Sequence, residues 1–125
     1  MAARILVVED NLDTRELVHL YLKTEGFDVV TASDGREGLY LARAEQPDLI
    51  ITDLNMPGVD GITLIKELRT DPEFQDKPII AFTAFGRTDR DNAIRAGANR
   101  ALDKPTYMET LIDDIKELLD ECKHK

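Results

Sequence analysis

The stretch Asp48-Leu49-Ile50-Ile51-Thr52-Asp53-Leu54-Asn55-Met56-Pro57-Gly58-Val59-Asp60-Gly61 decides how this chain reads. Residues 49–52 form a short apolar, β-branched-rich run entered through Pro47 and Asp48. A run without polar alternation fits a strand covered on both faces, as in a parallel sheet. It ends in Asp53, and Met56-Pro57-Gly58 then predicts a turn that keeps the strand end open.

Working outward, residues 5–8 and 79–83 repeat the pattern, and 29–31 and 101–102 are weaker strand candidates. Between them lie amphipathic stretches. Residues 11–25 predict a helix with Leu17, Leu20, Tyr21 and Thr24 on its apolar face and Gly26 at its C′ position. Residues 34–44 open with Asp34 and Glu37 at capping-box spacing. Residues 62–70 carry Leu64, Ile65 and Leu68 at helical spacing, and 89–96 predict a short helix ending at Gly97. A last helix is capped by Thr106 and Glu109, with a stripe of Met108, Leu111, Ile112, Ile115, Leu118, Leu119 and Cys122. Five strands alternating with five helices imply right-handed crossovers and a doubly wound α/β fold with helices on both faces of a parallel sheet.

The 125 residues make one domain, 1–125, with a core from about 4 to 119 and a frayed tail at 121–125. Twenty-five acidic and 16 basic residues leave a net charge of −9, which disfavours direct binding to nucleic acid or an anionic membrane. The single cysteine, Cys122, excludes an internal disulfide and a multi-cysteine zinc site. No secretory signal or membrane-spanning apolar run is visible, so the expected setting is cytoplasmic.

The polar residues cluster at the carboxyl ends of the strands. The first run ends in Glu9-Asp10, the third in Asp53, the fourth in Thr83 and the fifth in Lys104. Open α/β sheets bind ligands at that edge, where the strand order reverses. In the flavodoxin-like order 2-1-3-4-5, borrowed from known folds, the reversal brings Glu9, Asp10 and Asp53 together. Three neighbouring carboxylates repel one another, and a hard divalent cation such as Mg²⁺ is their natural compensation. With Thr83 and Lys104 added, a hydroxyl and an ammonium join the metal around a carboxylate. That set suits phosphoryl transfer to an aspartate, with Asp53 the best acceptor.

At this point the chain resembles the receiver domains of two-component response regulators. The motifs that carry the likeness are Ile5-Leu6-Val7-Val8-Glu9-Asp10-Asn11, the 48–61 stretch, Pro78-Ile79-Ile80-Ala81-Phe82-Thr83-Ala84, Ala96-Gly97-Ala98 and Lys104-Pro105. The resemblance covers about residues 4–119. It implies that Asp53 accepts a phosphoryl group from a sensor histidine kinase or a histidine phosphotransfer protein. It implies that Glu9, Asp10, Asp53 and the backbone carbonyl of Asn55 hold Mg²⁺, and that Thr83 and Lys104 contact the phosphoryl group. It further implies a cis Lys104–Pro105 peptide, and a phosphoacceptor that is not an enzyme beyond slow autodephosphorylation. Output is expected through protein binding at the fourth helix, fifth strand and fifth helix. The protein is expected to be a monomer or a phosphorylation-dependent dimer, with no output domain after the last helix.

The chain departs from the family at Ala101, where an aromatic is usual three residues before the lysine, and at Thr106, where phenylalanine is common. Coupling of the threonine to an aromatic cannot operate through Ala101. Asn55 and Phe85 occupy positions that tune phosphoryl lifetime in the family. Plainer readings exist for each residue alone: Asp10 as a helix cap, Asp53 as a turn residue, Lys104 as a solvated lysine, Thr83 as a strand residue. Arg87, Arg90, Arg95, Arg100 and Lys104 make 87–104 locally basic, either a solvated face or a docking surface for an acidic partner. His19 is read as a surface or boundary residue. The rival functions are a flavin-binding flavodoxin-like protein, an aspartyl-phosphate hydrolase and a phosphorylation-independent adaptor on the receiver fold.

Overall fold

The computed structural model describes residues 2–54, 60–83, 87–103 and 108–123, the side chains of Cys122 and Lys123 excepted. The chain runs β1 (Arg4–Val8), α1 (Leu12–Thr24), β2 (Asp28–Ala32), α2 (Gly35–Glu45), β3 (Leu49–Asp53), α3 (Gly61–Thr70), a 3-10 turn (Pro72–Phe74), β4 (Ile79–Thr83), α4 (Arg87–Ala96), β5 (Arg100–Asp103) and α5 (Met108–Lys123). The five strands form one parallel sheet in the order β2-β1-β3-β4-β5.

Strand alternation explains the two cores. Ile5, Val7, Leu49, Ile51, Ile80 and Phe82 face Val18 and Leu22 of α1 and Leu111, Ile115 and Leu118 of α5. Leu6, Val8, Ile50, Ile79 and Ala81 point the other way, toward Ala42 of α2, Leu64, Ile65 and Leu68 of α3, and Ala93 of α4. Every residue of β3 and β4 is buried, as the unbroken apolar runs predict, whereas the edge strand β5 is half-buried throughout.

Local signals set most helix ends. The Asp34 carboxylate accepts from the Glu37 amide at 2.8 Å, and Glu37 reaches back to the Ser33 amide at 3.1 Å. Asp60 caps α3 by accepting from Thr63 N at 2.8 Å. Gly26 follows α1 with φ +94°, the left-handed conformation that closes a helix.

Three expectations change. The buried face of α1 is Val18 and Leu22 with Tyr21 half-buried, whereas Leu17 and Leu20 are exposed. This helix holds more apolar residues than one face can cover, so periodicity alone left two overlapping stripes, and packing against α5 and the sheet chose between them. Helix α4 begins at Arg87, two residues earlier than expected. Helix α5 continues to Lys123, through the first part of the expected tail.

Phe74, in the 3-10 turn, is fully buried. Beside it Arg69 draws loops together at the amino edge of the sheet. Its guanidinium donates to the carbonyls of Phe74, Lys77 and Gly97 and to Asn99 Oδ1, and Asn99 Oδ1 also accepts from Ile79 N at 2.9 Å.

Candidate phosphoacceptor site

Glu9 and Asp10 follow β1 directly. The Glu9 amide donates to Ala32 O at 3.0 Å, which extends the β1–β2 ladder one residue and turns the Glu9 side chain into the molecule. Glu9 is 3% exposed and Asp10 is exposed. The cap of α1 is Asn11, whose Oδ1 accepts from Thr14 N at 2.9 Å. Asp10 is therefore free of the capping role that would have explained it away. The corner is tightened by Asn11 N donating to Glu9 Oε2 at 3.3 Å and by the Arg15 guanidinium donating to Glu9 O at 3.0 Å.

Asp53 is the last residue of β3 and is 5% exposed. The β3–β4 register pairs Asp53 with Phe82, and Leu54 N donates to Phe82 O at 3.1 Å. Thr83, the next residue of β4, is fully buried and stands in register with Asp103 of β5. The β1–β3 pairing places Val8 beside Thr52, so the two strands reach the carboxyl edge together.

That register brings the three acids into one cluster. One carboxylate oxygen from each of Glu9, Asp10 and Asp53 lies within 4.8 Å of the other two. Octahedral Mg²⁺ has bonds of about 2.1 Å, so its ligand oxygens lie roughly 3.0 Å apart along an edge and 4.2 Å across. The 4.8 Å bound on the cluster is close to the longer of these spacings. The oxygen-only donor set suits Mg²⁺ and not zinc or copper, which favour imidazole and thiolate. Burial of two of the acids makes an uncompensated cluster costly, and Asp10 is its exposed member.

Two glycines that sequence reasoning passed over hold this geometry. A Cβ on Gly61 would stand 2.2 Å from Asp53 O and 2.7 Å from Leu54 Cα. The first turn of α3 thus lies directly on the end of β3, and Gly61 N donates to Leu54 O at 3.1 Å. A Cβ on Gly38 would stand 2.8 Å from a Val8 methyl, just before Glu9. Position in the sequence hinted only at Gly61, through the Asp60-Gly61 pair that opens α3.

Asn55, Phe85, Lys104, Pro105 and Thr106 lie outside the described residues, as do the Met56-Pro57-Gly58 turn and His124. His19 is half-buried. In the basic stretch, Arg90 pairs with Asp103, and Arg100 pairs with Glu117 at 2.6 Å and with Glu121 at 3.9 Å. These pairs engage two of its cations within the domain. Among the described residues, no helix is long and apolar enough to cross a membrane.

The model of the response regulator receiver domain matches residues 5–116 of this sequence. The chain belongs to the response regulator receiver family. This receiver is 40% identical over 116 residues to the response regulator PleD of Caulobacter vibrioides, covering 92% of this chain and 24% of PleD. It is 34% identical over 120 residues to the polar-differentiation response regulator DivK of Brucella anthropi, covering 95% of this chain and 98% of DivK. The receiver thus spans about a quarter of one curated relative and nearly the whole of another. Its fold superposes on the chemotaxis response regulator CheY4 of Vibrio cholerae with a TM-score of 0.89 at 32% identity, over 94% of this chain and 99% of CheY4. The expected strand order is the observed one, and receiver structures are its neighbours.

Proposed function

We propose that this receiver is a phosphorylation switch whose acceptor is Asp53. The observation that carries the reading is the convergence of Glu9, Asp10 and Asp53 oxygens at the carboxyl edge of β1 and β3. Mg²⁺, held by Glu9, Asp10, Asp53 and the Asn55 carbonyl, would supply the positive charge that screens carboxylate from phosphoryl oxygens. An Asp53 carboxylate oxygen attacks phosphorus, the bond to the donor's imidazole nitrogen breaks, and the neutral imidazole departs after protonation. Thr83 donates its hydroxyl to a phosphoryl oxygen and Lys104 pairs with another. The donor is a sensor histidine kinase or a histidine phosphotransfer protein.

The new phosphoryl group adds about 1.5–2 negative charges at the end of β3. Thr83 and Lys104 move toward it, which shifts the segment after β4 and the α4–β5–α5 face. A partner that prefers the shifted state by about 1.4 kcal/mol binds tenfold tighter. Residues 1–125 act as one receiver unit. Mass spectrometry after incubation with acetyl phosphate and Mg²⁺ tests the acceptor. Wild-type protein gains one phosphoryl group and Asp53→Asn gains none; stoichiometric labelling of Asp53→Asn refutes the assignment.

A second reading, a phosphorylation-independent adaptor, has one observation in its favour. Ala101 is half-buried, pairs with Ala81 and packs against the core on the α2–α3–α4 face of the sheet, at a position where the family usually places an aromatic. Equal partner affinity with and without beryllofluoride favours the adaptor; tighter binding with beryllofluoride favours the switch. Flavin binding loses ground because Glu9 and Asp10 occupy the loop that would have to accept the flavin phosphate.

A further inference from the structure

The Glu9-Asp10-Asn11 corner must present two carboxylates from consecutive residues to one cation, although consecutive side chains naturally diverge. Main-chain direction at the Glu9–Asp10 peptide therefore decides whether the exposed Asp10 points at the cluster. That peptide's carbonyl accepts the Arg15 guanidinium at 3.0 Å. Arg15 stands one turn into α1, half-buried, with its own amide bonded to Asn11 O at 2.9 Å. Its side chain thus folds back over the helix start and ties the rigid first turn of α1 to the peptide plane between the two acids. The bond goes to a neutral carbonyl, so it orients the main chain without neutralising a metal-binding carboxylate.

We infer that Arg15 is a positioning residue for the divalent cation: by holding the Glu9 carbonyl it aims Glu9 and Asp10 at a shared ion. The inference rests on the reading of the acidic cluster as a Mg²⁺ site. Its sign is what separates it from simple electrostatics. Arg15 is a cation beside a cation site, so removing its charge would by itself tighten Mg²⁺ binding. If orientation dominates, the same substitution weakens it. Outer residues that orient metal ligands typically matter about 10–100-fold in affinity.

The test is Mg²⁺ titration calorimetry on the full chain, comparing wild type with Arg15→Gln, Arg15→Met and Asp10→Asn. Gln is too short to reach the Glu9 carbonyl and Met has no donor, and both are good helix formers, so at least one folded variant is available. Urea unfolding accompanies each titration. The expected result is Mg²⁺ affinity lowered about tenfold or more in the folded Arg15 variants with little change in urea midpoint, which a merely structural role would not produce. Affinity equal to or tighter than wild type in either folded Arg15 variant overturns the assignment. If Asp10→Asn loses Mg²⁺ while the Arg15 variants keep it, the metal site stands and only the role of Arg15 falls. If Asp10→Asn binds Mg²⁺ as wild type does, the site reading fails and this inference with it.

Discussion

Gly61→Ala is a one-methyl test of how α3 holds β3 and its last residue, Asp53. The added carbon would lie 2.2 Å from Asp53 O, 2.7 Å from Leu54 Cα and 3.0 Å from Asp53 C. Carbon atoms pack at about 3.5–4.0 Å, so the Leu54 contact alone demands roughly 1 Å of separation between α3 and the end of β3. All three obstacles are main-chain atoms and no rotamer change relieves them. The Gly61 N to Leu54 O bond, 3.1 Å, holds both parts at their present spacing and must stretch. Overpacking of this kind costs about 1–3 kcal/mol. With a urea slope of about 1–3 kcal/mol per molar, the midpoint falls by about 1 M. The second effect is on chemistry. Asp53 would shift relative to Glu9 and Asp10, and a 1 Å misplacement of a reacting group costs about 100-fold in rate. Urea unfolding followed by circular dichroism reads the first effect, and the initial rate of acetyl phosphate labelling with Mg²⁺ reads the second. Gly26→Ala is the control. Gly26 has φ +94° but open space around a Cβ, so alanine there costs about 1–2 kcal/mol of backbone strain far from the site and leaves labelling intact. Wild-type stability and labelling in Gly61→Ala, or an equal loss of labelling in Gly26→Ala, refutes the reasoning.

Three further outcomes are expected. Asp10→Asn removes one of three mutually repelling charges within 4.8 Å, so in metal-free buffer its urea midpoint rises by an amount equivalent to about 1 kcal/mol, while the stabilisation that Mg²⁺ gives wild type shrinks; a lower metal-free midpoint contradicts this. Arg69→Ala leaves several inward-facing carbonyls without their charged donor and lowers stability by about 3 kcal/mol or more, yet leaves Mg²⁺ affinity unchanged because the clasp lies at the opposite edge of the sheet; titration calorimetry beside urea melts checks both halves. Burial, with help from Glu117 and Asp113 and against Arg100, raises the Asp114 carboxyl above its ordinary 3.8. The folded chain then keeps that proton over a window above 3.8 where the unfolded chain has lost it, so this group's contribution falls as pH rises through the window and is flat above it. Asp114→Asn removes that slope from the variant's profile, so the wild-type minus variant urea midpoint falls as pH rises through the window, and a difference that rises with pH contradicts it.

Much of the molecule was legible because its strongest signals are local. The unbroken apolar runs at 49–52 and 79–83 became central strands buried on both faces, and Asp34 and Gly26 act at helix ends through bonds to neighbours a few residues away. Glu9, Asp10, Asp53 and Thr83 were marked by their place directly after such runs. Helix α1 was misread because Leu17-Leu20 and Val18-Leu22 compete as apolar stripes, and nothing local ranks them. Arg69, Phe74 and Asn99 gave no signal, since their partners lie in other segments.

Sequence alone determined the alternation of elements, the Asp34–Glu37 capping box, the Gly26 helix end and the presence of acids and a hydroxyl at strand ends, because each depends on contacts within a few residues. Only the tertiary structure decided that Glu9, Asp10 and Asp53 share one cluster, that Asn11 rather than Asp10 caps α1, that Gly61 and Gly38 lie against the ends of β3 and β1, and that Arg15 donates to the Glu9 carbonyl. Those facts depend on strand register and on helix-to-strand distances of a few ångströms. Such distances are set by the simultaneous packing of both faces of the sheet and are carried by no single stretch of the chain.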